Sequence, residues 1–114
     1  MNVRCTLKKN SDFHRLYSRG KSAVTPHMVV YCRRNRENVN RLGYTVSTKL
    51  GHAVVRNRVR RRLREIYRLN AVNLKTGYDI VVVARARCVK AEYKQMEAAF
   101  LTACEKLGLM REAE

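Results

Sequence analysis

Proline is nearly missing from this chain, Pro26 being the only one, and tryptophan is missing altogether. One proline and five scattered glycines leave no linker or low-complexity tract along the 114 residues. Residues 1–114 are therefore expected to form a single domain with one modest core. No apolar run approaches the ~20 residues that a bilayer-spanning helix needs. The opening "MNVRCTLKKNSDFH" has no apolar stretch followed by a small-residue cleavage site, so it does not read as a secretory signal. Cys5, Cys32, Cys88 and Cys104 are widely separated, with no C-x-x-C pair. That spacing predicts neither a zinc site nor a disulfide framework but the reduced thiols of a cytoplasmic protein.

Carboxylates are scarce. The aspartates are Asp12 and Asp79 alone, and three of the seven glutamates, Glu105, Glu112 and Glu114, crowd a polar C-terminal tail. His14, His27 and His52 stand singly in different segments. A protein nuclease needs carboxylates clustered around a metal or a histidine pair set for acid–base work. Neither is visible, nor is a glycine-rich loop to cradle phosphate. No catalytic residue and no metal ligand is assigned to the chain itself.

Positive charge is abundant. Lys and Arg number 25 against 9 Asp and Glu, a net charge of +16. Self-repulsion of that size opposes compaction, so a polyanionic partner is expected. The apolar fraction, 46%, is that of a globular chain rather than a disordered one. The charge concentrates in "AVVRNRVRRRLREIY", which places six arginines within the nine residues Arg56–Arg64. At 100° per residue Val55, Val59, Leu63 and Ile66 share one arc of a helix and the arginines fill the rest. A solvated helix face usually interleaves Glu with Lys; here Glu65 is the only acid between Lys49 and Arg68. Arginine's planar fork suits bidentate phosphate contact, and the absence of Trp or Phe on this helix argues for RNA over a lipid surface.

The rest of the chain alternates short elements. "NSDFHRLYSRG" predicts a helix capped by Asn10 or Ser11, with Phe13, Leu16 and Tyr17 on one face and Gly20 at its end. "MVVYCRR" predicts a strand with Val29, Tyr31 and Arg33 on one face and Met28, Val30 and Cys32 on the other. "NRENVN" is a polar turn, and "RLGYTVS" alternates as a half-buried strand. "DIVVVAR" predicts a strand buried on both faces. From about Glu92 to Leu107 a helix puts Tyr93, Met96, Phe100, Cys104 and Leu107 on one core-facing stripe. The order is α-β-β-α-β-α, with room for a further strand near Leu50, so the class is α+β on a small mixed sheet. Tyr31 shares its face with Arg33, and an aromatic floor beside positive charge is what single-stranded RNA needs.

Together these segments resemble the protein subunit of bacterial ribonuclease P. "VSTKLGHAVVRNRVRRRLRE" is similar to the family's Arg-Asn-Arg signature, present as Arg56-Asn57-Arg58 and followed by Arg60, Arg61, Arg62 and Arg64. "LKKNSDFHRLYSRGKS", "MVVY" and "GYDIVVVARA" are similar to its first helix, its first strand and the strand after the basic helix. The resemblance implies α-β-β-β-α-β-α with a left-handed βαβ crossover, like the second domain of ribosomal protein S5 and contrary to the usual right-handed rule. It also implies a large catalytic RNA as partner, Mg2+ held mainly by that RNA, and removal of the 5′ leader of precursor tRNA. The chain would be the non-catalytic protein subunit of this endoribonuclease. Phe13, Tyr17, Tyr31, Arg56, Asn57, Arg60 and Arg64 match the cleft for the leader. Arg58, Arg61, Arg62, Arg68 and Lys49 would contact the catalytic RNA. Departures from the family pattern are Thr48 for a lysine, His52 for an asparagine and Met28 for an aromatic. The alternative from another class is a basic RNA-binding protein without a leader cleft, such as a ribosomal protein or RNA chaperone. A DNA-binding helix-turn-helix needs two adjacent helices, which the strand-like runs around the arginine helix deny.

Overall fold

The structure is a computed structural model that describes Thr6, Leu7 and residues 9–111. Cys5, Glu112 and Glu114 lie outside the described residues. The elements are α1 (Asn10–Arg19), β1 (Lys21–Val24), β2 (Met28–Arg34), β3 (Arg41–Thr45), α2 (Ala53–Asn70), β4 (Tyr78–Ala84), the short α3 (Arg87–Lys90) and α4 (Tyr93–Lys106). The four strands form one mixed sheet in the order β1-β2-β4-β3. β1 with β2 and β2 with β4 are antiparallel, whereas β3 and β4 run parallel and are joined through α2. The class is the expected α+β, and the order is α-β-β-β-α-β-α with one extra helical turn, α3.

Three local expectations are corrected. The additional strand is "KSAV" at Lys21–Val24, not a segment near Leu50. Thr48–Leu50 is instead a 3-10 turn in which Ser47 Oγ accepts the Lys49 amide at 3.1 Å. Four residues are too few for a period-2 pattern to stand out, and hairpin pairing with β2 makes β1 a strand. Neither Asn10 nor Ser11 caps α1: Asn10 is already helical, and Lys9 occupies the cap without a side-chain bond. Gly20 does end α1, but at φ −79°, outside the left-handed region. Its requirement is steric, since a Cβ there would stand 2.6 Å from the Leu16 carbonyl oxygen and 2.9 Å from that of Cys32.

Alternation along the strands divides the sheet into two faces. Val30, Cys32, Ile80, Val82 and Leu42 join Val59, Leu63 and Ile66 of α2 and Met96, Phe100 and Cys104 of α4 in the main core. Met28 is fully buried there. Burial pushes the Cys104 thiol up to about 12 and the Cys32 and Cys88 thiols upward, keeping all three protonated at neutral pH. The opposite face carries a smaller cluster, Leu7, Leu16 and Val81, with Phe13, Tyr31 and Val83 packed against it. Among the described residues this side is covered by α1 and by Leu7 before it, and part of the sheet carries no helix. β4 is buried on both faces as expected, except that Tyr78 at its start and Val83 near its end are half-buried.

Candidate nucleic-acid interface

The open part of the sheet is built from its registers. Val24 pairs with Val29, Val29 with Val83, and Val83 with Thr45, so these four side chains form one row across all four strands. Val24 is 55% exposed and the other three half-buried, an apolar floor that no helix covers fully. The next row contains Tyr31, Val81 and Gly43. Tyr31 meets Tyr17 of α1 edge to face, ring centroids 5.0 Å apart and planes at 73°. The Tyr17 hydroxyl reaches across the floor to Thr45 Oγ1 at 3.0 Å. Tyr17 remains 40% exposed, so the pair offers ring surface to a stacking base beside the valine floor.

Phe13 behaves differently. A Cβ on Gly43 would meet Phe13 Cζ at 2.7 Å, so the ring lies directly on the Gly43 backbone. Its further contacts are with the Leu7, Leu16 and Val81 cluster. Its remaining surface lines a cavity of about 1020 Å3 beside β3, shared with Arg60, Arg64, Leu42, Tyr44 and Tyr67. The structure thus brings Phe13, Arg60 and Arg64 to one cavity and Tyr17 and Tyr31 to an adjacent open floor. Arg56 and Asn57 line neither. Arg56 Nε donates to the Gly51 carbonyl at 3.2 Å, closing the turn before α2, and Asn57 Oδ1 accepts from Arg60 Nη1 at 2.8 Å.

The remaining basic residues lie on α2 and its entry turn. Val59, Leu63 and Ile66 are the buried stripe, with Val55 half-buried above them. Arg58, Arg61 and Arg64 are exposed, and their side chains make no hydrogen bond or ion pair with any described residue. Arg62 Nη1 donates to the Ala91 carbonyl at 3.3 Å, so part of its guanidinium serves the fold. Arg68 is held bidentately by Glu65, at 2.8 and 2.7 Å; its hydrogen bonds pull the Glu65 carboxyl below its ordinary range. Both partners are solvent-facing, which makes that bridge a weak one. Lys49 is exposed on the 3-10 turn that precedes α2. Burial raises the Tyr44 phenol, which Arg64 partly offsets.

Among the described residues no three His, Cys, Asp or Glu side chains assemble into a site that could hold a metal. Three of the described carboxylates pair with arginines: Asp12 with Arg15, Asp79 with Arg41 and Glu65 with Arg68. No helix among them is long and apolar enough to cross a membrane.

Comparison with known proteins decides the family. The family model described as Ribonuclease P matches residues 1–108. The chain belongs to the ribonuclease P protein family. The ribonuclease P protein component of Alkaliphilus oremlandii is 46% identical over 107 residues, covering 94% of each chain. That of Clostridium botulinum strain Langeland is 44% identical over 104 residues, 90% of this chain and 94% of the relative. Among solved structures, the Staphylococcus aureus ribonuclease P protein superposes with a TM-score of 0.86 at 31% identity, covering 94% of this chain and 98% of that one. The Thermotoga maritima ribonuclease P protein follows at 0.79 and 32%, covering 85% and 92%. As a ribonuclease P protein, the chain is a component of the bacterial ribonucleoprotein that processes tRNA 5′ ends.

Residue reasoning missed Val24, Val83 and Thr45 as parts of the open floor. Val29 and Tyr31 were legible because their strand alternates cleanly. Val83 was hidden in a run of apolar residues, and Thr45 needs the β3–β4 register to reach the same row. The Tyr17–Thr45 bond supplies a test of the floor. Tyr17→Phe and Thr45→Val each remove one hydroxyl, and each is expected to cost about 0.5 to 1.5 kcal/mol of stability. The double variant is expected to cost no more than either single one, because both delete the same bond. Denaturant midpoints of the three proteins check this; strictly additive losses would show that the bond contributes nothing.

Proposed function

We propose that the ribonuclease P protein holds two RNAs at once. The Tyr17–Tyr31 pair and the Val24–Val29–Val83 floor take the single-stranded 5′ leader of precursor tRNA, with Phe13, Arg60 and Arg64 in the adjoining cavity. The exposed arginines of α2, with Lys49, neutralise phosphates of a large catalytic RNA. The observation that carries this reading is the partly exposed aromatic pair on the sheet, beside a helix on which the exposed Arg58 and Arg61 side chains have no hydrogen bond or ion pair among the described residues. Bases stack on rings without regard to sequence while phosphates pair with guanidinium forks, so this juxtaposition suits unpaired RNA. Because no three described His, Cys, Asp or Glu side chains come together as metal ligands, magnesium is assigned to the RNA and not to the chain. In this reading the protein orients substrate and supplies no acid, base or nucleophile. The cytoplasm is the compartment that fits.

Purified protein is therefore expected to leave precursor tRNA intact, and addition of the matching catalytic RNA with Mg2+ to produce cutting at the mature 5′ end. Metal-dependent cutting by RNA-free, nuclease-free protein would refute the division of labour.

Arg58→Gln with Arg61→Gln tests the helix face without touching the Arg62–Ala91 bond. Each lost phosphate contact lowers the log–log salt slope of binding by about 0.7 to 0.9, so the pair is expected to flatten it by about 1.4 to 1.8. Titration against the catalytic RNA at several salt concentrations measures the slope. Unchanged slope and affinity would remove this face from the RNA interface.

A further inference from the structure

A second basic surface lies at the end of the sheet where β4 turns into α3; it adjoins Lys49 and Val24, but its other residues belong to neither the arginine signature nor the aromatic floor. Lys49, Arg87 and Lys90, with His27, line a hollow of about 530 Å3 whose other walls are Leu50, Ala86, Val89, Ala91 and Gln95. A neighbouring hollow of about 500 Å3 shares Ala86 and Arg87 and adds Arg85 beside Val24, Thr25 and Pro26. No carboxylate lines either hollow. Lys49, Arg87 and Lys90 are exposed and take part in no ion pair among the described residues. Arg85 is anchored, its Nη1 donating to the Thr25 carbonyl at 2.9 Å. His27 is fixed through its carbonyl, which accepts from the Arg85 amide and from Cys88 Sγ, both at 2.9 Å. These bonds tie the β1–β2 turn to the β4–α3 turn, so the cations project from a rigid support.

Two further features identify the partner. The surface is continuous with the arginine helix, because Arg62 donates to the carbonyl of Ala91, which itself lines the first hollow. Neither hollow contains a Phe or Tyr. A single-stranded segment bound here would find no phenyl or phenol ring, and only the His27 imidazole, on which to stack a base. A base-paired stem presents phosphates and 2′-hydroxyls outward with its bases already stacked, and needs only cations.

We infer that Arg87 and Lys90, with Lys49, form a phosphate-binding shelf for a double-helical stem of the partner RNA, extending the α2 contact around the end of the sheet. The inference rests on the reading of α2 as the face for the catalytic RNA and names residues and an RNA form that this reading lacks.

The test uses the full chain carrying Arg87→Gln and Lys90→Gln, assembled with the matching catalytic RNA. Two lost contacts are expected to flatten the salt slope by about 1.4 to 1.8, so between 50 and 200 mM salt wild type loses about 7- to 12-fold more affinity than the variant. A duplex RNA competitor is expected to lose more affinity for the variant than a single-stranded RNA of equal length. The preference for precursor over mature tRNA, and the thermal midpoint, are expected to stay as in wild type. Arg87→Lys with Lys90→Arg is expected to restore the slope, which separates lost charge from altered folding. Unchanged affinity and slope, or a loss confined to single-stranded RNA or to leader preference, would overturn the shelf. If wild type itself failed to bind the catalytic RNA, the proposed function would fall with it; a working wild type beside an unaffected variant removes the shelf alone.

Discussion

Asp79→Ala is expected to lower the stability of the domain by about 2 to 4 kcal/mol, although Asp79 touches no part of the proposed RNA surface. Asp79 is 8% exposed on the central strand β4. Its Oδ1 accepts from Arg41 Nε at 2.8 Å and its Oδ2 from Arg41 Nη2 at 2.7 Å, the bidentate geometry that strengthens such pairs. The hydrogen bonds to Asp79 raise the Arg41 pKa further. Asn35 Nδ2 adds a third bond to Oδ1, at 3.0 Å, and also donates to the Val39 carbonyl at 3.1 Å. Asn35 in turn accepts the Glu37 amide at 2.7 Å, bracing a turn in which Arg36 has φ 64°, a conformation unfavourable for a residue with a side chain. Removing the carboxylate thus unpairs Arg41 and loosens the β2–β3 turn together. Breaking one side of a fully buried pair costs about 3 to 5 kcal/mol. The Arg41 side chain is 34% exposed and recovers some hydration, hence the smaller figure. Denaturant midpoints measure the loss, with Glu65→Gln as the control; its solvent-facing bridge to Arg68 is expected to move the midpoint little. Equal midpoints for Asp79→Ala and wild type would disprove the structural role.

Tyr17→Ala and Tyr31→Ala are expected to weaken binding of leader-bearing tRNA by about 1 to 3 kcal/mol each, roughly 5- to 150-fold, while binding of mature tRNA stays near wild type. The stability cost should be modest for Tyr17, which is 40% exposed and loses one edge-to-face contact and one hydrogen bond. Phe13→Ala supplies the contrast. Its ring rests on Gly43 and on the Leu7, Leu16 and Val81 cluster, so truncation is expected to destabilise by about 2 to 4 kcal/mol. Stability and both tRNA affinities must be measured on each variant. Retained leader preference in Tyr17→Ala and Tyr31→Ala would exclude stacking on this pair; a large stability loss with it would make both residues part of the core.

The sequence by itself determined most of the elements and the sign of the partner. The period of Val55, Val59, Leu63 and Ile66 specified α2, because an apolar stripe can be buried in only one orientation. The lone Glu65 amid the arginines marked a surface lacking internal neutralisation. Alternation in "MVVYCRR" placed Tyr31 opposite the core. Only the tertiary structure decided what lay between elements. A four-residue strand such as Lys21–Val24 carries too little pattern to be seen until β2 pairs with it. The valine floor exists because three registers align Val24, Val29, Val83 and Thr45, and register is a property of paired strands. Equal spacing on α1 put Phe13 and Tyr17 together, yet Gly43 under one ring and Thr45 beside the other gave them different surroundings. Lys49 is far along the chain from Arg87 and Lys90, and the three cations meet only because α3 folds back beside the turn that precedes α2. Periodicity records which side of its own element a residue faces; what it faces there is set by chain segments distant in sequence, whose packing no local pattern encodes.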